Sequence, residues 1–305
     1  MELLEAIILS ILAASTPLLL AATGELVTER SGVLNLGVEG MMIVGAACGF
    51  GGALYSGSIT IGAICGIIAG TMLSLIFALM TLGLAVNQVA TGLALTILGI
   101  GLSGLIGAGF VGERITPAPH LRIPGLTDLP FLGRILFGED ALVYFSLLLI
   151  AGVWWFLYKT RAGLILRACG DNHLSAHALG YPVLRIRLLA VMFGGACAGL
   201  GGAYLPLAYT PFFIPGMTAG RGWIALALVV FSSWRPGRLV VGAYLFGAVT
   251  ILQLHAQSAG IGIPSQFMSA LPYLATVIVL VLLSRARTGG STAPAALGTV
   301  FVPDR

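Results

Sequence analysis

The clearest candidate for metal chemistry is a set of sulfur and imidazole side chains at intervals of four. Cys169, His173 and His177 would share one face if residues 169–177 formed a single helix. Zinc needs at least three protein ligands and a second shell that orients them. No carboxylate completes a recognised pattern such as H-E-x-x-H, so we predict no metal site here.

Two pairs of polar side chains are candidates for contact with a small ligand. Asn35 and Glu39 share a face if this stretch is helical, and polar groups at the mouth of a membrane span usually face a cavity or a partner. The alternative for Glu39 is a solvated helix start or a pair with Arg30. Asn87 and Gln88 offer the donors and acceptors that a sugar or base requires; their alternative is hydrogen bonding between helices.

Aromatic residues give a further candidate contact. Phe212 and Phe213 either stack on a ligand or join the aromatic belt of a membrane interface. His255, with its polar neighbours Gln253 and Gln257, has no nucleophile to complete a catalytic set. We therefore predict no catalytic residue.

Nucleotide hydrolysis is excluded within this chain. The only lysine, Lys159, lies between Tyr158 and Thr160, so no Walker A loop can be written. The run from Gly99 to Gly104 matches G-x-G-x-x-G, but it lies in an apolar segment with no strand before it and indicates helix packing.

The composition indicates that lipid surrounds the elements that position these residues. The chain has 305 residues, 58% of them apolar and 9% charged, with a mean hydropathy of +1.04. A soluble domain carries about 25% charged residues. Glycines at intervals of four inside the apolar runs, such as Gly195 and Gly199, let helices approach closely. We predict an all-α membrane protein, a bundle of about eight to ten transmembrane helices in one transmembrane domain, residues 1–287.

Nine segments are candidate spans, of which the second and seventh are short and typical of broken helices beside a substrate path. They are Ala6–Thr23, Met41–Leu54, Ile59–Leu82, Val89–Phe110, Ala141–Tyr158, Leu188–Leu207, Trp223–Trp234, Leu239–Leu254 and Met268–Leu283.

Basic residues predict the orientation of these spans. Clusters lie in 159–187, at Arg235 and Arg238, and at Arg285 and Arg287, and parity places all three in the cytoplasm. The first residues and the loop 111–140 are then outside. The Gly/Ser/Thr/Ala/Pro-rich tail, 288–305, is predicted to be flexible and cytoplasmic.

A weak internal duplication is visible. Glu39-Gly-Met precedes an apolar run, a break and Ile61-Gly-Ala, while Arg221-Gly-Trp precedes a run, a break and Val241-Gly-Ala. The predicted topology starts the two copies on opposite sides, which is an inverted repeat. Chance likeness between glycine-rich helices is the alternative.

Four motifs in order resemble the permease subunits of bacterial ABC importers of the ribose and branched-chain amino acid type, above all the nucleoside and simple-sugar permeases. The resemblance covers about residues 12–283. The motifs are Ser31-Gly-Val-Leu-Asn35-Leu-Gly-Val-Glu39-Gly-Met-Met, Asn87-Gln88-Val-Ala-Thr-Gly92-Leu-Ala, Arg167-Ala-Cys-Gly-Asp-Asn172 followed by Ala176 and Gly180, and Gly195-Ala-Cys-Ala-Gly199-Leu-Gly-Gly202.

The resemblance implies a multi-pass subunit of a bacterial inner (plasma) membrane. Its implied partners are a second permease subunit (itself or a paralogue), cytoplasmic ABC ATPase subunits that bind ATP, and an extracytoplasmic binding protein, with no nucleic acid. Residues 170–180 would dock in the ATPase. The implied coupling residues are Arg167, Gly170, Asp171, Asn172, Ala176 and Gly180. His173, His177 and Tyr181 depart from the family's usual residues on this docking surface.

These features predict ATP-driven import of nucleosides or simple sugars by alternating access. The residues expected near the path are Asn35, Glu39, Asn87, Gln88, Phe212 and Phe213. An ion-coupled secondary transporter would need buried ionisable groups, of which the sequence shows few. A membrane-embedded enzyme would need a catalytic set.

Overall fold

Helices make up the secondary structure throughout the part of the chain that the computed structural model describes. That part is residues 2–121, 132–258 and 293–302, with isolated helical positions at 267, 270, 274, 277, 278 and 281. The helices are α1 (Glu2–Arg30), α2 (Val38–Ser56), α3 (Ile59–Ala78), α4 (Gln88–Gly107), α5 (Leu132–Phe137), α6 (Ala141–Lys159), α7 (Arg161–Asp171), α8 (His173–Ala178), α9 (Val183–Tyr204), α10 (Arg221–Phe231) and α11 (Pro236–Ser258).

Seven stretches of these helices are long and apolar enough to cross a membrane. They are Leu4–Arg30, Val38–Ser56, Ile59–Gly83, Gln88–Phe110, Ala141–Lys159, Val183–Tyr209 and Pro236–Gln257. The prediction of an all-α polytopic membrane bundle is confirmed. The seventh predicted span is the short helix α10, and the ninth, Met268–Leu283, lies outside the described residues except for its isolated helical positions.

Glycines bring the central helices α2, α3 and α9 into backbone contact. A Cβ on Gly45 of α2 would lie 2.4 Å from the carbonyl oxygen of Gly199 in α9. A Cβ on Gly70 of α3 would lie 2.2 Å from that of Gly195. The glycine spacing read from the sequence therefore marks the seam of the bundle, as packing through small residues requires.

The basic clusters at 159–187 and at Arg235 and Arg238 gather at one end of the bundle, which we call the basic face, whereas the predicted cluster at Arg285 and Arg287 lies outside the described residues. Arg30, the last residue of α1, donates from Nη2 to the Trp234 carbonyl at 2.8 Å, which places the α10–α11 turn beside the end of α1. Gly170 of α7 packs against the carbonyl of Arg30. The opposite end, the far face, holds the segment 111–121, where Ala118 N donates to the Leu207 carbonyl at 2.8 Å. This arrangement agrees with the predicted sidedness of the loops relative to one another.

The helix α10 starts inside the bundle instead of at a face. After α9 and a π-helical turn at Leu205–Tyr209, the chain turns back until Gly222 packs against Glu39 at the start of α2. Gly40 in turn packs against Leu95 and Thr96, about half-way along α4. The eleven residues of α10 then run about 16 Å toward the basic face.

The starts of α2 and α10 therefore meet head to head, and the two helices run in opposite directions. Pairs such as Gly45–Gly199 and Gly49–Ala203 show that α2 runs parallel to α9, away from the basic face. These are the segments that the sequence duplication aligns, so their directions fit an inverted pair.

The prediction of a flexible tail is wrong for residues 293–302. Ala296 N donates to the Gly170 carbonyl at 2.9 Å, and Gly298 N donates to the Gly32 carbonyl at 3.1 Å. Ala296 and Phe301 are both buried. Composition indicated disorder, but backbone pairing with two glycines on the basic face fixes this segment.

Candidate functional site

Glu39 lies at the junction of the two opposed helices. Its carboxylate accepts three hydrogen bonds from the start of α10: Thr218 Oγ1 at 2.6 Å and Gly220 N at 3.0 Å bond Oε1, and Gly222 N at 2.6 Å bonds Oε2. A carboxylate suits this place because the N-terminus of a helix carries partial positive charge and free N–H groups. Glu39 is 6% exposed, so it is not a solvated helix start, and Arg30 donates to the Trp234 carbonyl and not to Glu39.

The other polar candidates of the first two motifs hold the segment that leads into α2. Asn35, fully buried, accepts from Gly37 N at 2.9 Å, and Gln88 Oε1 accepts from Leu34 N at 2.8 Å. Asn87 is exposed and caps α4 by accepting from Ala90 N at 3.0 Å. These bonds favour the packing alternative in this conformation, and contact with a substrate stays a prediction.

Two buried carboxylates of α1 were missed at the sequence level. Glu25 and Glu29 are each 1% exposed, four residues apart. Glu25 Oε1 accepts from Asn35 N at 3.2 Å, and Glu29 Oε2 accepts from Trp234 Nε1 at 2.5 Å. The first predicted span ends at Thr23 and so leaves out both acids, whereas α1 continues to Arg30. The available signal was their spacing of four within one helix.

Phe212 and Phe213 lie on the far face but differ in exposure to solvent. Phe213 is 1% exposed and packs against Phe50 and Phe110, with ring centroids 6.2 and 6.4 Å away. Phe212 is 37% exposed, and its backbone pairs with that of Arg114. Phe212 therefore offers a ring to the surface, whereas Phe213 is buried where residues 210–220, which we call the re-entrant segment, turn back from the far face.

The coupling candidates form a short helical hairpin, α7–α8, on the basic face. Asn172 caps α8 by accepting from Ser175 N at 3.0 Å, and Gly180 ends the hairpin with a φ of 86° that glycine tolerates. Asp171 and Asn172 are exposed, Ala176 is buried, and Leu174 and Leu179 are 65% and 77% exposed. Leu174 in α8 and Leu179 directly after it are therefore available for contact with a partner, and docking in the ATPase stays a prediction.

Two coupling candidates face inward instead. Gly170 lies against the end of α1, where a Cβ would come within 2.2 Å of the Arg30 carbonyl oxygen. The guanidinium of Arg167 lies over the ring of Tyr158, 5.1 Å from its centroid. Both residues therefore join the hairpin to the bundle rather than to a partner.

Arg187 is fully buried and connects several segments of the basic face. From the sequence it is only one of the basic residues in 159–187. Its Nε donates to the Ser31 carbonyl at 3.1 Å and its Nη1 to the Thr299 carbonyl at 3.2 Å. Its Nη2 lies 3.3 Å from His173 Nδ1. Burial and the nearby Arg187 guanidinium lower the pKa of His173, so the imidazole is neutral at pH 7 and can accept.

The histidines of the predicted spacing lie against an aromatic ring. His173 and His177 pack edge-on against Phe301, with ring centroids 5.1 and 5.4 Å away. Within the described residues, no three His, Cys, Asp or Glu side chains are arranged to hold a metal ion. Cys169 belongs to α7 and the histidines to α8, so the interval of four crosses a helix break.

Comparison with known proteins decides the class. Residues 7–289 match the family described as branched-chain amino acid transport system / permease component. The chain belongs to this permease family. In this family the ATPase is a separate subunit, so the permease is a multi-pass transporter subunit and not an enzyme.

Its relatives in sequence are transport proteins. The permease is 44% identical over 88% of its length to TsgC13 of Haloferax volcanii, a glucose ABC transporter permease by a provisional assignment, and covers 88% of it. It is 32% identical to the guanosine ABC transporter permease NupQ of Bacillus subtilis and 31% identical to the nucleoside permease NupC of Lactococcus lactis. Each alignment covers 99% of this chain and 98% of the relative.

A solved structure shares the fold. It is an ABC transporter in an inward-facing conformation, of the metal-chelate type by a provisional assignment, matched with a TM-score of 0.53 over 92% of this chain and 85% of that one, at 18% identity.

Proposed function

We propose that the permease carries nucleosides or simple sugars into the cell across a bacterial inner (plasma) membrane. A second permease subunit completes the pathway, a binding protein delivers the ligand to the far face, and ATP is bound by separate subunits on the basic face. Likeness over nearly the whole chain to permeases named for guanosine, nucleosides and glucose carries this substrate class.

The head-to-head junction at Glu39 supports alternating access. It joins a helix that runs to the far face with one that runs to the basic face, and one carboxylate holds both. Movement of the α7–α8 hairpin reaches the junction through Gly170 and the end of α1. Opening toward either side then requires the ligand and partners to bind the two states with different affinity.

Reconstitution in vesicles tests this proposal. The complete complex, with ATPase subunits, both permease subunits and the binding protein, is supplied with ATP on the ATPase side and labelled guanosine or glucose on the other. We expect uptake that needs ATP and the binding protein and that survives ionophores. Uptake driven by an ion gradient without ATP would support the secondary-transporter alternative. This control is necessary because Glu25 and Glu29 are buried ionisable groups of the kind that ion coupling requires.

A further inference from the structure

A cavity of about 830 Å³ opens on the basic face beside the lipid-facing helix α6. It is lined by the end of α1, the last two turns of α6, the end of α7, the α10–α11 turn and Ala293. The side chains that matter for its chemistry are Arg30, Trp154, Tyr158, Lys159, Arg235 and Arg238. None of these six is a candidate for the substrate path or belongs to the α7–α8 hairpin, but Asp171 of the hairpin also lines the cavity.

The cavity is strongly cationic. Its described lining carries four cations, Arg30, Lys159, Arg235 and Arg238, against one carboxylate, Asp171. Arg30 is partly engaged with the Trp234 carbonyl, but Lys159, Arg235 and Arg238 are exposed. Arginine forks and a lysine ammonium around one space suit a phosphate group, whose oxygens accept from both.

The position of the cavity beside α6 indicates which kind of molecule would present that phosphate. Trp154 in its wall is 48% exposed, and on the same helix Leu148, six residues earlier, and Trp155 are 70% and 59% exposed. Exposed apolar side chains followed by aromatic and basic residues are typical of a helix that leaves the hydrocarbon at the headgroup level. A ligand that presents a phosphate here while its chains lie along α6 is a phospholipid.

We propose that this cavity binds the headgroup of an anionic phospholipid of the inner leaflet. The proposal uses the predicted cytoplasmic position of the basic face but not the transported substrate. Basic pockets at the cytoplasmic ends of transmembrane helices suit such headgroups because each Lys or Arg adds attraction to an anionic lipid.

Lipid binding to the purified complex tests the proposal. Delipidated complexes are titrated with phosphatidylglycerol or with phosphatidylcholine of the same chains, and bound lipid is counted by native mass spectrometry. The test variant is R235Q/R238Q, the charge-preserving variant is R235K/R238K, and the matched control is R161Q/R185Q, which removes two exposed arginines outside the cavity. We expect R235Q/R238Q to weaken phosphatidylglycerol binding by roughly tenfold to thirtyfold, at about fivefold for each charge. We expect the other two variants to bind like wild type.

Three outcomes would overturn the proposal. The first is equal affinity for phosphatidylglycerol and phosphatidylcholine, or equal loss in R161Q/R185Q. The second is displacement of the lipid by millimolar inorganic phosphate, which would assign the site to a soluble anion. The third is unchanged lipid binding with loss of the ATPase subunits from R235Q/R238Q, which would assign the cavity to a protein partner. Because lipid is counted without transport, failure of the substrate proposal leaves this result readable.

Discussion

Glu39 shows how much one side chain can determine in a protein with few charges. Its three donors lie 179 to 183 residues away in sequence, yet they all belong to the start of one helix. Buried hydrogen bonds to a charged acceptor are stronger than neutral ones and are costly to leave unmade. The junction of α2 and α10 therefore depends on this carboxylate more than on the packing around it.

Replacing this carboxylate with an amide tests its role. In E39Q an N–H₂ group faces either Gly222 N or the Thr218 and Gly220 donors, so we expect the start of α10 to be destabilised by about 2 kcal/mol. Hydrogen exchange at Gly220 and Gly222 should accelerate by roughly 30-fold, the equivalent of that free energy, and uptake should fall. The exposed Glu113 provides the control, E113Q. Wild-type exchange and uptake in E39Q would show that the junction does not need the charge.

A second carboxylate makes stability depend on pH. Glu139 is 3% exposed, and burial together with its neighbour Asp140 raises its pKa from 4.5 to about 7. Because the folded state holds this proton more tightly than the unfolded state, the free energy of unfolding falls as pH rises from about 4.5 to about 7, by at most about 3 kcal/mol.

The variant E139Q should reduce that pH dependence. We expect its melting temperature in detergent to fall less between pH 5 and pH 8 than that of the wild type. Asp140 must stay intact, because it caps α6 through Leu142 N at 2.8 Å and accepts from Tyr204 at 3.1 Å. Parallel slopes for wild type and E139Q would place the titrating group elsewhere.

At the scale of the helices, the glycine seam sets how closely the bundle closes. We expect G199A to lower stability by about 1–3 kcal/mol, since its Cβ would lie 2.2 Å from the Gly66 carbonyl oxygen and one backbone must move away from the other. Gly101 in α4 has nothing within 4 Å of a Cβ, so G101A is the matched control and should be neutral or stabilising by up to about 1 kcal/mol. Thermal unfolding in detergent checks both, and similar melting temperatures would mean that the seam relaxes at no cost.

Local sequence predicted the helices well wherever an apolar run alone decides their limits. The fourth and fifth spans were predicted at Val89–Phe110 and Ala141–Tyr158, and the structure has Gln88–Phe110 and Ala141–Lys159. The first helix runs seven residues beyond the predicted Thr23, to Arg30, because Glu25 and Glu29 find partners inside the bundle. Those partners, Asn35 and Trp234, are set by tertiary contacts that a hydropathy window does not include.

The candidate site was predicted by residue type but not by role. Glu39 was selected for its charge near the mouth of a span, yet its role as a cap for α10 depends on a re-entrant segment that has no local signal. Arg187 was counted among the basic residues of a loop. It is fully buried instead, and its partners are two backbone carbonyls and the ring of His173. Polar composition also predicted a flexible tail, because composition does not register the pairing of Gly298 with Gly32.

At the scale of the whole molecule, the basic face is one connected unit. The end of α1, the α7–α8 hairpin, the start of α9 and residues 293–302 all meet at Arg187. The α10–α11 turn joins them through Arg30. We therefore expect a displacement of the hairpin to reach both helices of the Glu39 junction, since α1 is joined to α2 by residues 31–37 and the turn holds the other end of α10. This linkage can couple ATP hydrolysis to import only if the hairpin lies on the side of the membrane where the ATPase subunits bind ATP.

Cysteine labelling decides that sidedness. Leu179 follows α8 on the basic face and is 77% exposed, and Tyr55 near the end of α2 on the far face is 83% exposed. With a membrane-impermeant maleimide, we expect Y55C to label in intact cells and L179C to label only after permeabilisation. Wild type, in which Cys169 and Cys197 are buried and Cys48 and Cys65 partly buried, gives the background. ATPase subunits should protect L179C but not Y55C, because the exposed Leu174 and Leu179 pair is their proposed contact. Labelling of L179C from outside the cell would place the hairpin on the side of the membrane opposite to ATP. The proposed coupling to the ATPase subunits would then be excluded.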